Sequence, residues 1–574
     1  MAQTKGITLL HFNDVYHISD AEQVARFATV LANPRYITDD VSAPDHQLRL
    51  FSGDVFSPSL EASVLRGEHI PTILNAMNID VACYGNHDFD FGEDRLVELS
   101  RITKFPWMLT NVLRRDSQST QGRDDKLLAL AHKYIIREVG GLKIGFIGLA
   151  RTLASDWPSN CQHLPSCTIC EPATVARTTA RHLRESEKCD LVIALTHMRL
   201  AEDIAVSQNT KTGSGRVDLI LGGHDHDVVQ RSSTDFNNDP RVRHPGFTSG
   251  SATGIFCTEG DIRIIKSGTD WNGLSVLRLT FSKQADGTTS ISNLKLYQVA
   301  DLKSLPNYAN IRPCPITVKA ITDVQTKIAK LVEKPLVITS IPLEGRFRII
   351  RSRETNLGNM LADVVRFFYN TDIAFVNSGA IRCDRIIDSG TDEPLRIRDI
   401  IDISPFDNAF VIKRVSGQIL AASLENSVSD AHTDGRFLHV SGLTMVVDWS
   451  RPEGQRVGDI MYVPKHGPRR AVLSRDFYTV AMVDFIASGF DGYSCFRHCE
   501  TLLEAEGSMT DTNLLLQVFE ADGRGDGSFQ QLDEAVEGIK RAQKVVIRGR
   551  HPTKGLPVIS PSVEGRIRVV TSNL

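Results

Sequence analysis

Five short apolar runs in the first half of the chain each lead into side chains that can bind metal. Divalent metals that activate water need carboxylate and imidazole ligands with one coordination position left open. Two metals about 3.5–4 Å apart also share a bridging ligand, which is normally a carboxylate. The side chains that follow the five runs are numerous enough for two such sites. These candidate ligands are Asp14, Asp54, Asn86, His197, His224 and His226.

The densest cluster is the hexapeptide GNHDFD at residues 85–90, which follows the apolar run at 79–84. A glycine at the end of a short apolar run indicates a strand that enters a tight loop. In open α/β sheets, ligands bind at the carboxyl ends of the strands. A single aspartate at a strand end is usually a turn former or a cap, so the recurrence of the pattern at five strand ends is what predicts a metal site.

Helical segments separate the apolar runs. Residues 20–31 have helical character, as do residues 70–77, with Pro71 in the first turn. In the second half, Thr355 is expected to cap a helix at residues 356–369. Strands that alternate with helices predict an α/β layered domain in the first half.

Composition and charge limit the class of protein. A chain of 574 residues is too long for one core, and roughly two to four domains are expected. The formal net charge is −4 and no basic block occurs, which argues against a nucleic-acid partner. The ten cysteines are expected to be reduced thiols. Because we find no signal peptide, membrane-spanning run or hydrophobic anchor, we expect a cytoplasmic protein without membrane contacts, and no protein partner is evident.

Five motifs resemble those of the 5′-nucleotidase family within the calcineurin-like metallophosphatases. The motifs are HFND at 11–14, SGD at 52–54, GNHDFD at 85–90, TH at 196–197 and GGHDH at 222–226. The similarity extends over roughly residues 5–500. The resemblance implies an α/β fold, with an N-terminal four-layer (αββα-type) metallophosphatase domain and a separate α+β C-terminal substrate-binding domain.

The resemblance also implies two divalent metal ions, Zn²⁺, Mn²⁺ or similar, and a catalytic pair beside them. One ion would be held by Asp14, Asp54 and His226, and the other by Asp54, Asn86, His197 and His224, with Asp54 as the bridge. His87 would stabilise the charge that develops on the phosphate, and Asp90 would orient the ring of His87. Asp88 receives no chemical role.

The first motif departs from the family pattern at one position. Many relatives have Asp-x-His there, whereas here Asp14 is followed by Val15, Tyr16 and His17. Either His17 reaches the first metal through a distorted turn, or that metal has one side-chain ligand fewer and binds more weakly. A shift of one residue at a strand end reverses the direction of the side chain, which favours the second alternative.

The second half of the chain carries side chains suited to a nucleotide. The planar fork of arginine binds phosphate oxygens in pairs, and two aromatic rings can hold a base between them. The resemblance assigns Arg351 and Arg382 to the phosphate end, Phe406 and Phe485 to the base, Asn377 to a substrate contact and Asp491 to the ribose hydroxyls. A phosphorylated or sulfated small molecule of another shape is the alternative ligand.

These patterns predict four segments. They are a metallophosphatase domain at 1–300, a linker at 301–335, a 5′-nucleotidase-type substrate-binding domain at 336–505 and a C-terminal extension at 506–574. Apolar spacing predicts a helix at 318–334 within the linker, which Pro335 ends.

Three further patterns are weaker. Residues 522–533 have the outline of a degenerate EF-hand loop, for which a glycine-rich turn is the simpler interpretation. Residues 116–126 are expected to form a polar surface loop. The compact cluster of Cys161, His163, Cys167 and Cys170 favours thiols in a loop over a zinc site, because it lacks a second spaced pair.

Together, the residues predict a metal-dependent phosphoric ester hydrolase that removes phosphate from nucleoside phosphates with metal-activated water. A cyclic-nucleotide phosphodiesterase or a nucleotide-sugar pyrophosphohydrolase is the alternative, since the same metals and the same catalytic pair serve all three reactions. A non-catalytic nucleotide-binding relative remains as another alternative because of Tyr16.

Overall fold

The computed structural model describes residues 6–38, 46–114, 127–151, 167–229, 263–283, 287–387, 393–429, 435–520 and 534–570. These residues divide into two compact units, one that ends at Thr326 and one that begins at Lys327. The boundary lies within the helix Pro315–Leu331, which begins and ends three residues earlier than the predicted linker helix. Pro315 suits the first turn of a helix, where its missing N–H is not needed.

The first unit is built on two sheets with helices between the strands. Its helices are α1 (Ala21–Ala32), α2 (Leu60–Leu65), α3 (Pro71–Ala76), α4 (Glu93–Ile102), α5 (Pro172–Glu185), α6 (Leu200–Asn209) and α7 (Pro315–Leu331). Its strands are β1 (Gly6–Phe12), β2 (Gln47–Phe51), β3 (Val81–Cys83), β4 (Trp107–Met108), β5 (Val112–Arg114), β6 (Ile135–Val139), β7 (Leu142–Ala150), β8 (Cys167–Ile169), β9 (Leu191–His197), β10 (Leu219–Gly223), β11 (Ile264–Lys266), β12 (Leu274–Lys283) and β13 (Thr289–Val299). One of these sheets has the strand order β13-β12-β1-β2-β3-β4 and the other has the order β11-β10-β9-β7-β6, while β5 and β8 pair in a small separate sheet.

Alternating side chains along the strands separate the layers of this unit. In β9, Leu191 and Ile193 face the core between the two sheets, whereas Val192 faces α5 and α6. On the outer side of the other sheet, Phe12 of β1 contacts Phe27 of α1, with ring centroids 5.2 Å apart. The succession of helix, sheet, sheet and helix confirms the predicted four-layer αββα arrangement.

Parallel pairing brings the carboxyl ends of the central strands together. β1, β2 and β3 run in parallel in one sheet, and β7, β9 and β10 run in parallel in the other. The loops that follow these strands therefore meet at the same end of each sheet, where they are available for a shared site.

The predicted helix at residues 20–31 is confirmed with a shift of one residue. Asp20 caps α1 by accepting a hydrogen bond from the N–H of Gln23.

The second unit mixes helices with parallel and antiparallel strands, which confirms the predicted α+β class. Its helices are α8 (Phe347–Ile350), α9 (Asn356–Tyr369), α10 (Ile397–Ile403), α11 (Gly417–Ser427), α12 (Asp484–Ala487), α13 (Asp511–Phe519) and α14 (Glu534–Val546). Its strands are β14 (Pro335–Thr339), β15 (Leu343–Glu344), β16 (Ile373–Asn377), β17 (Ile386–Ile387), β18 (Leu395–Arg396), β19 (Phe410–Ser416), β20 (Leu438–Ser441), β21 (Leu443–Asp448), β22 (Val457–Tyr462), β23 (Arg470–Ala471), β24 (Phe477–Val483), β25 (Glu500–Leu503), β26 (Ile547–Arg550), β27 (Pro557–Ile559) and β28 (Ile567–Val570). Its central sheet has the order β20-β16-β24-β19-β25, and Thr355 caps α9 as predicted.

The described residues between 506 and 570 belong to the core of the second unit, which corrects the expectation of an extension outside it. Leu514, Val518 and Phe519 of α13 are buried in this core. β27 pairs with β14, and β28 pairs with β21. These pairings join strands that are far apart in the sequence, so no local pattern could indicate them.

Some predicted segments lie outside the described residues. They are residues 116–126 and 522–533, together with Cys161 and His163 of the cysteine cluster. Among the helices that the structure describes, none combines the length and the apolar character needed to cross a membrane.

Candidate functional site

The candidate metal ligands of the first unit lie at or just beyond the ends of parallel strands. Asp14 and Asp54 follow β1 and β2, and His197 is the last residue of β9. The φ angles of Asp14, Asp54, His224 and His226 are 52°, 62°, 80° and 60°. Residues other than glycine rarely adopt this left-handed region, and such strain is concentrated at functional sites.

One group of polar side chains surrounds Asp14. His226 Nε2 lies 3.5 Å from Asp14 Oδ1, and the Tyr16 hydroxyl donates to the same oxygen at 3.1 Å. Tyr16 Oη also lies 2.8 Å from His226 Nε2 and 3.5 Å from Asp54 Oδ2. The tyrosine side chain therefore points into the centre.

His17 points away from this group. Its Nδ1 lies 2.7 Å from Asp270 Oδ2, and its side chain is 47% exposed. This orientation removes His17 from the candidate ligands of the first metal and leaves Tyr16 at that position.

A second group surrounds Asp54. One ligand atom from each of Asp54, His197 and His224 lies within 4.8 Å of the other two. His197 Nε2 is 2.9 Å from Asp54 Oδ2, and His224 Nδ1 is 3.1 Å from Asn86 Oδ1. Asp54 thus contacts members of both groups, which is the position that a bridging ligand needs.

The donor set fits divalent metal ions, because all six candidate ligands come together and consist of carboxylates, imidazoles and an amide. His197 Nε2 is buried and makes no hydrogen bond with any described residue, although it faces two carboxylates. Burial disfavours the charged form of His197, but Asp54 and Asp14 outweigh that effect and raise its pKa to about 9. A centre that attracts a proton so strongly is suited to cations.

The predicted catalytic pair lies beside these groups. His87 Nδ1 is 2.9 Å from Asp90 Oδ2, and both side chains are almost completely buried. The backbone N–H of His87 donates to Asp54 Oδ1 at 2.8 Å. Burial raises the pKa of Asp90, and the charge of His87 opposes that shift. Since Asp90 contacts Nδ1, a substrate would meet the Nε2 side of the ring.

Asp88, which received no role from the sequence, joins the loop that carries Asp54 to the loop that carries Asn86. Its carboxylate accepts hydrogen bonds from the N–H groups of Gly85, Asp54 and Val55 at 2.8, 3.1 and 2.9 Å. Burial and the nearby Asp54 raise the pKa of Asp88 to about 7. Gly85 allows the close approach, because a Cβ atom there would lie only 2.0 Å from Asp54 Oδ1.

Lys266 is a second positioning residue that the sequence did not reveal. This buried lysine lies with its Nζ 2.6 Å from Asp225 Oδ2 and 3.0 Å from Asp203 Oδ2. It also donates to the carbonyl of Gly223 at 2.6 Å, so it holds the loop that carries His224. A lysine at the end of an apolar strand was the available signal, but its carboxylate partners come from α6 and from the loop after β10.

The predicted nucleotide residues of the second unit lie at one end of its central sheet, where β16 and β24 finish and β19 begins. β19 begins opposite the last residue of β24, and the N–H of Asp484 donates to the carbonyl of Ala409 at 2.9 Å. The loop with Phe406 and the helix with Phe485 therefore lie at the same end. β16 is parallel to β24 and ends there with Asn377.

Arg351 and Arg382 share one aromatic ring. Their Cζ atoms lie 4.2 and 5.6 Å from the centroid of Phe347, and Arg382 Cζ also lies 5.3 Å from the centroid of Phe406. The structure thus brings together both predicted arginines and one of the predicted aromatic residues. Phe347, which stands between Arg346 and Arg348, was missed because a phenylalanine normally indicates core.

Phe485 has a stacking partner that the sequence did not reveal. The rings of Phe485 and Phe490 are parallel within 13°, with centroids 4.9 Å apart. These two side chains are 40% and 56% exposed, and Phe406 is 53% exposed. Exposed rings at one end of a sheet are suited to stacking on a base.

Asn377 and Asp491 complete the predicted set. Asn377 Oδ1 is buried and makes no hydrogen bond with any described residue, so a ligand is a natural partner for it. Asp491 lies close to Gly435, since a Cβ atom placed on that glycine would be 3.8 Å from Asp491 Oδ2. Gly435 in turn contacts the loop that follows Asn377, because its carbonyl accepts a hydrogen bond from the N–H of Gly379. Asp491 therefore lies near the loop that follows Asn377.

Two family models match the chain. The calcineurin-like phosphoesterase model matches residues 7–228, and the model of the 5′-nucleotidase C-terminal domain matches residues 336–498. The first span contains every candidate metal ligand, and the second contains every candidate nucleotide residue. The chain belongs to the 5′-nucleotidase family of calcineurin-like phosphoesterases. It is therefore a metal-dependent phosphoric ester hydrolase by family.

Known relatives of this 5′-nucleotidase family member cover most of its length. Human 5′-nucleotidase is 23% identical over 541 residues, which cover 89% of this chain and 87% of that protein. The Bacillus subtilis trifunctional nucleotide phosphoesterase protein YfkN is 25% identical over 522 residues, which are 85% of this chain but only 32% of YfkN. The chain therefore spans about a third of the length of that relative.

A solved structure shares the fold of this family member. The NAD nucleotidase NadN of Haemophilus influenzae matches with a TM-score of 0.65 at 17% sequence identity, over 99% of each chain. The likeness supports the assignment of fold for both units.

The anchoring role of Asp88 leads to a prediction for metal binding. In Asp88→Asn, one acceptor oxygen is replaced by an NH₂ group that faces backbone N–H donors, so the loops with Asp54 and Asn86 lose their shared anchor. We expect the affinity for Mn²⁺, measured by isothermal titration calorimetry, to fall by about 10- to 100-fold. The control Asp94→Asn removes an exposed carboxylate nearby and should leave the affinity unchanged. Equal affinities for the two variants would contradict the anchoring role.

Proposed function

We propose that this protein hydrolyses phosphate from nucleoside phosphates with two divalent metal ions held in the first unit. The observation that carries the proposal is the pair of overlapping ligand groups that share Asp54. When bound, such ions lower the pKa of a coordinated water and neutralise charge on phosphate oxygens. The family and the named activity of the human relative, a 5′-nucleotidase, support the same reaction.

The chain's own residues would supply ligands, orientation and one catalytic contact. We assign Asp14 and His226 to the first ion, Asn86, His197 and His224 to the second, and Asp54 to both. His87 would donate to a phosphate oxygen and stabilise its developing charge. Asp90 would keep the ring of His87 in position, which its 2.9 Å contact supports.

The second unit would recognise the nucleotide. We assign Arg351 and Arg382 to the phosphate end, Phe406 and Phe485 to the base, Asn377 to the substrate and Asp491 to the ribose hydroxyls. Two observations support a ligand site among these residues. Both arginines contact the ring of Phe347, and the side-chain carbonyl of Asn377 makes no hydrogen bond with any described residue. Binding residues and metal ligands then lie on different units of the chain.

Broader phosphoesterase activity is the second candidate function. The names of two related proteins, a trifunctional nucleotide phosphoesterase and an NAD nucleotidase, indicate more than one activity for the first and NAD as a substrate for the second. Cyclic nucleotides and nucleotide sugars therefore belong in any test of this chain.

We also propose a cytoplasmic location with no nucleic-acid or protein partner. None of the eight cysteines in the described residues forms a disulfide, which supports a reducing compartment. Cell fractionation that finds the protein in an oxidising compartment would overturn this location.

A hydrolysis panel tests the reaction, with inorganic phosphate measured for the monoesters and nucleoside monophosphate measured for the cyclic nucleotides and UDP-sugars. The substrates are AMP, other nucleoside monophosphates, cyclic nucleotides, UDP-sugars and an aryl phosphate, each with Zn²⁺, Mn²⁺ or Mg²⁺. We expect turnover of nucleoside monophosphates that requires metal and disappears with a chelator. Tight nucleotide binding without turnover of any substrate would support the non-catalytic alternative instead.

His87→Asn separates the catalytic contact from metal binding. Removing a donor to the developing charge should lower kcat by about 100- to 1,000-fold. Because His87 is not assigned as a ligand, the metal content measured by elemental analysis should stay at the wild-type level. Loss of metal from this variant would contradict the assigned role.

Phe406→Ala tests the base-binding role. Loss of one stacked ring should raise KM for AMP by about tenfold, since base stacking contributes about 1–3 kcal/mol. KM for ribose 5-phosphate, which has no base, should not change. The control Phe477→Ala removes a ring that is 58% exposed at the opposite end of β24. Equal effects of both variants on AMP, or of Phe406→Ala on both substrates, would refute the assignment.

A further inference from the structure

The hydroxyl of Tyr16 lies among the candidate ligands of the first metal. It lies 2.8 Å from His226 Nε2, 3.1 Å from Asp14 Oδ1 and 3.5 Å from Asp54 Oδ2. Tyr16 is only 4% exposed. These three neighbours are the complete side-chain set assigned to that metal, so the phenol oxygen lies where a further ligand of the same ion would lie.

The backbone around Tyr16 fixes this direction. Asp270 Oδ1 accepts the N–H groups of Tyr16 and His17 at 3.0 and 3.1 Å, and Asp270 Oδ2 lies 2.7 Å from His17 Nδ1. The indole N–H of Trp271 donates to the His17 carbonyl at 2.7 Å, and the Asp270 N–H donates to the Asp14 carbonyl at 2.8 Å. A single anchor therefore holds His17 outside the centre and Tyr16 inside it.

We propose that Tyr16 Oη is a protein ligand of the first metal, where family members with an Asp-x-His motif have an imidazole. The proposal rests on the proposed two-metal function. On coordination the phenol O–H bond breaks, an oxygen–metal bond forms, and the proton passes to solvent. The first site is therefore complete rather than short of one ligand.

This ligand changes the chemistry of the first site. Asp14, Asp54 and Tyr16 would give it three anionic oxygen donors beside the imidazole of His226. The second site would have one carboxylate, shared with the first, together with Asn86 and two imidazoles. Anionic oxygen ligands favour harder, more highly charged cations, so the first site is expected to prefer a harder ion than the second.

A rival explanation is that Tyr16 stays protonated and only donates a hydrogen bond to Asp14. Both explanations agree with a tyrosine next to the ligands, and both allow a loss of activity when it is replaced. They differ in the electronic spectrum, because a phenolate bound to Fe³⁺ gives a visible charge-transfer band and a hydrogen-bonded phenol does not. Fe³⁺ is therefore a suitable probe, whatever ion the protein binds in the cell.

The experiment reloads chelator-treated full-length protein with Fe³⁺ alone, and records the visible spectrum and the iron content. The variants are Tyr16→Phe, which keeps the ring, and Tyr16→His, which supplies the imidazole of the common motif. His17→Ala is the matched control from the adjacent position. We expect the band in wild type and in His17→Ala, and its loss in both Tyr16 variants. Tyr16→Phe should also bind one equivalent of iron about tenfold or more weakly, whereas Tyr16→His should keep the wild-type stoichiometry.

Two results would overturn this proposal and leave the proposed function standing. They are bound iron in wild type without a visible band, and a band that survives in Tyr16→Phe. Wild-type protein that binds neither Fe³⁺ nor Mn²⁺ would overturn both this inference and the proposed function. A visible band that depends on Tyr16, in a protein that releases no phosphate from any substrate, would support the ligand and refute only the proposed function.

Discussion

The first unit depends on the burial of two neighbouring carboxylates, Asp14 and Asp54, neither of which has measurable exposure. Two buried anions are costly in a medium of low dielectric constant unless hydrogen bonds and positive charge surround them. The N–H of His224 donates to Asp14 Oδ2 at 2.9 Å, and the N–H of His87 donates to Asp54 Oδ1 at 2.8 Å. The same bonds draw inward the loop that carries His224 and the loop that carries Asn86 and His87, so stabilising the carboxylates also assembles the centre.

The assigned metal ligands and the assigned nucleotide residues lie on separate parts of the chain. Every assigned metal ligand belongs to the first unit, where Asp88 and Lys266 hold the ligand loops by contacts with their backbone. Every assigned nucleotide residue belongs to the second unit, at one end of its central sheet. Such a division allows substrate preference to change through the second unit while the ligands that all phosphate esters need stay the same.

Local patterns in the sequence identified the parts of this protein whose structure is determined locally. The cap of α9 at Thr355 and the strand ends follow from short-range spacing, and the recurrence of polar side chains at those strand ends indicated the six candidate metal ligands. The direction of Tyr16 did not follow from such spacing, because Asp270 sets it from more than 250 positions away. The strands β27 and β28 were missed for a similar reason, since they pair with strands far away in the sequence. The contact of Phe347 with Arg382 likewise joins separate segments of the chain.

The most direct test of the account is the position of bound metal. Anomalous X-ray scattering from crystals of the full chain grown with Mn²⁺ should show two peaks about 3.5–4 Å apart, one on each side of Asp54. One peak should lie beside Asp14, Tyr16 and His226, and the other beside Asn86, His197 and His224. A single peak, or peaks that do not contact Asp54, would contradict the two-metal centre.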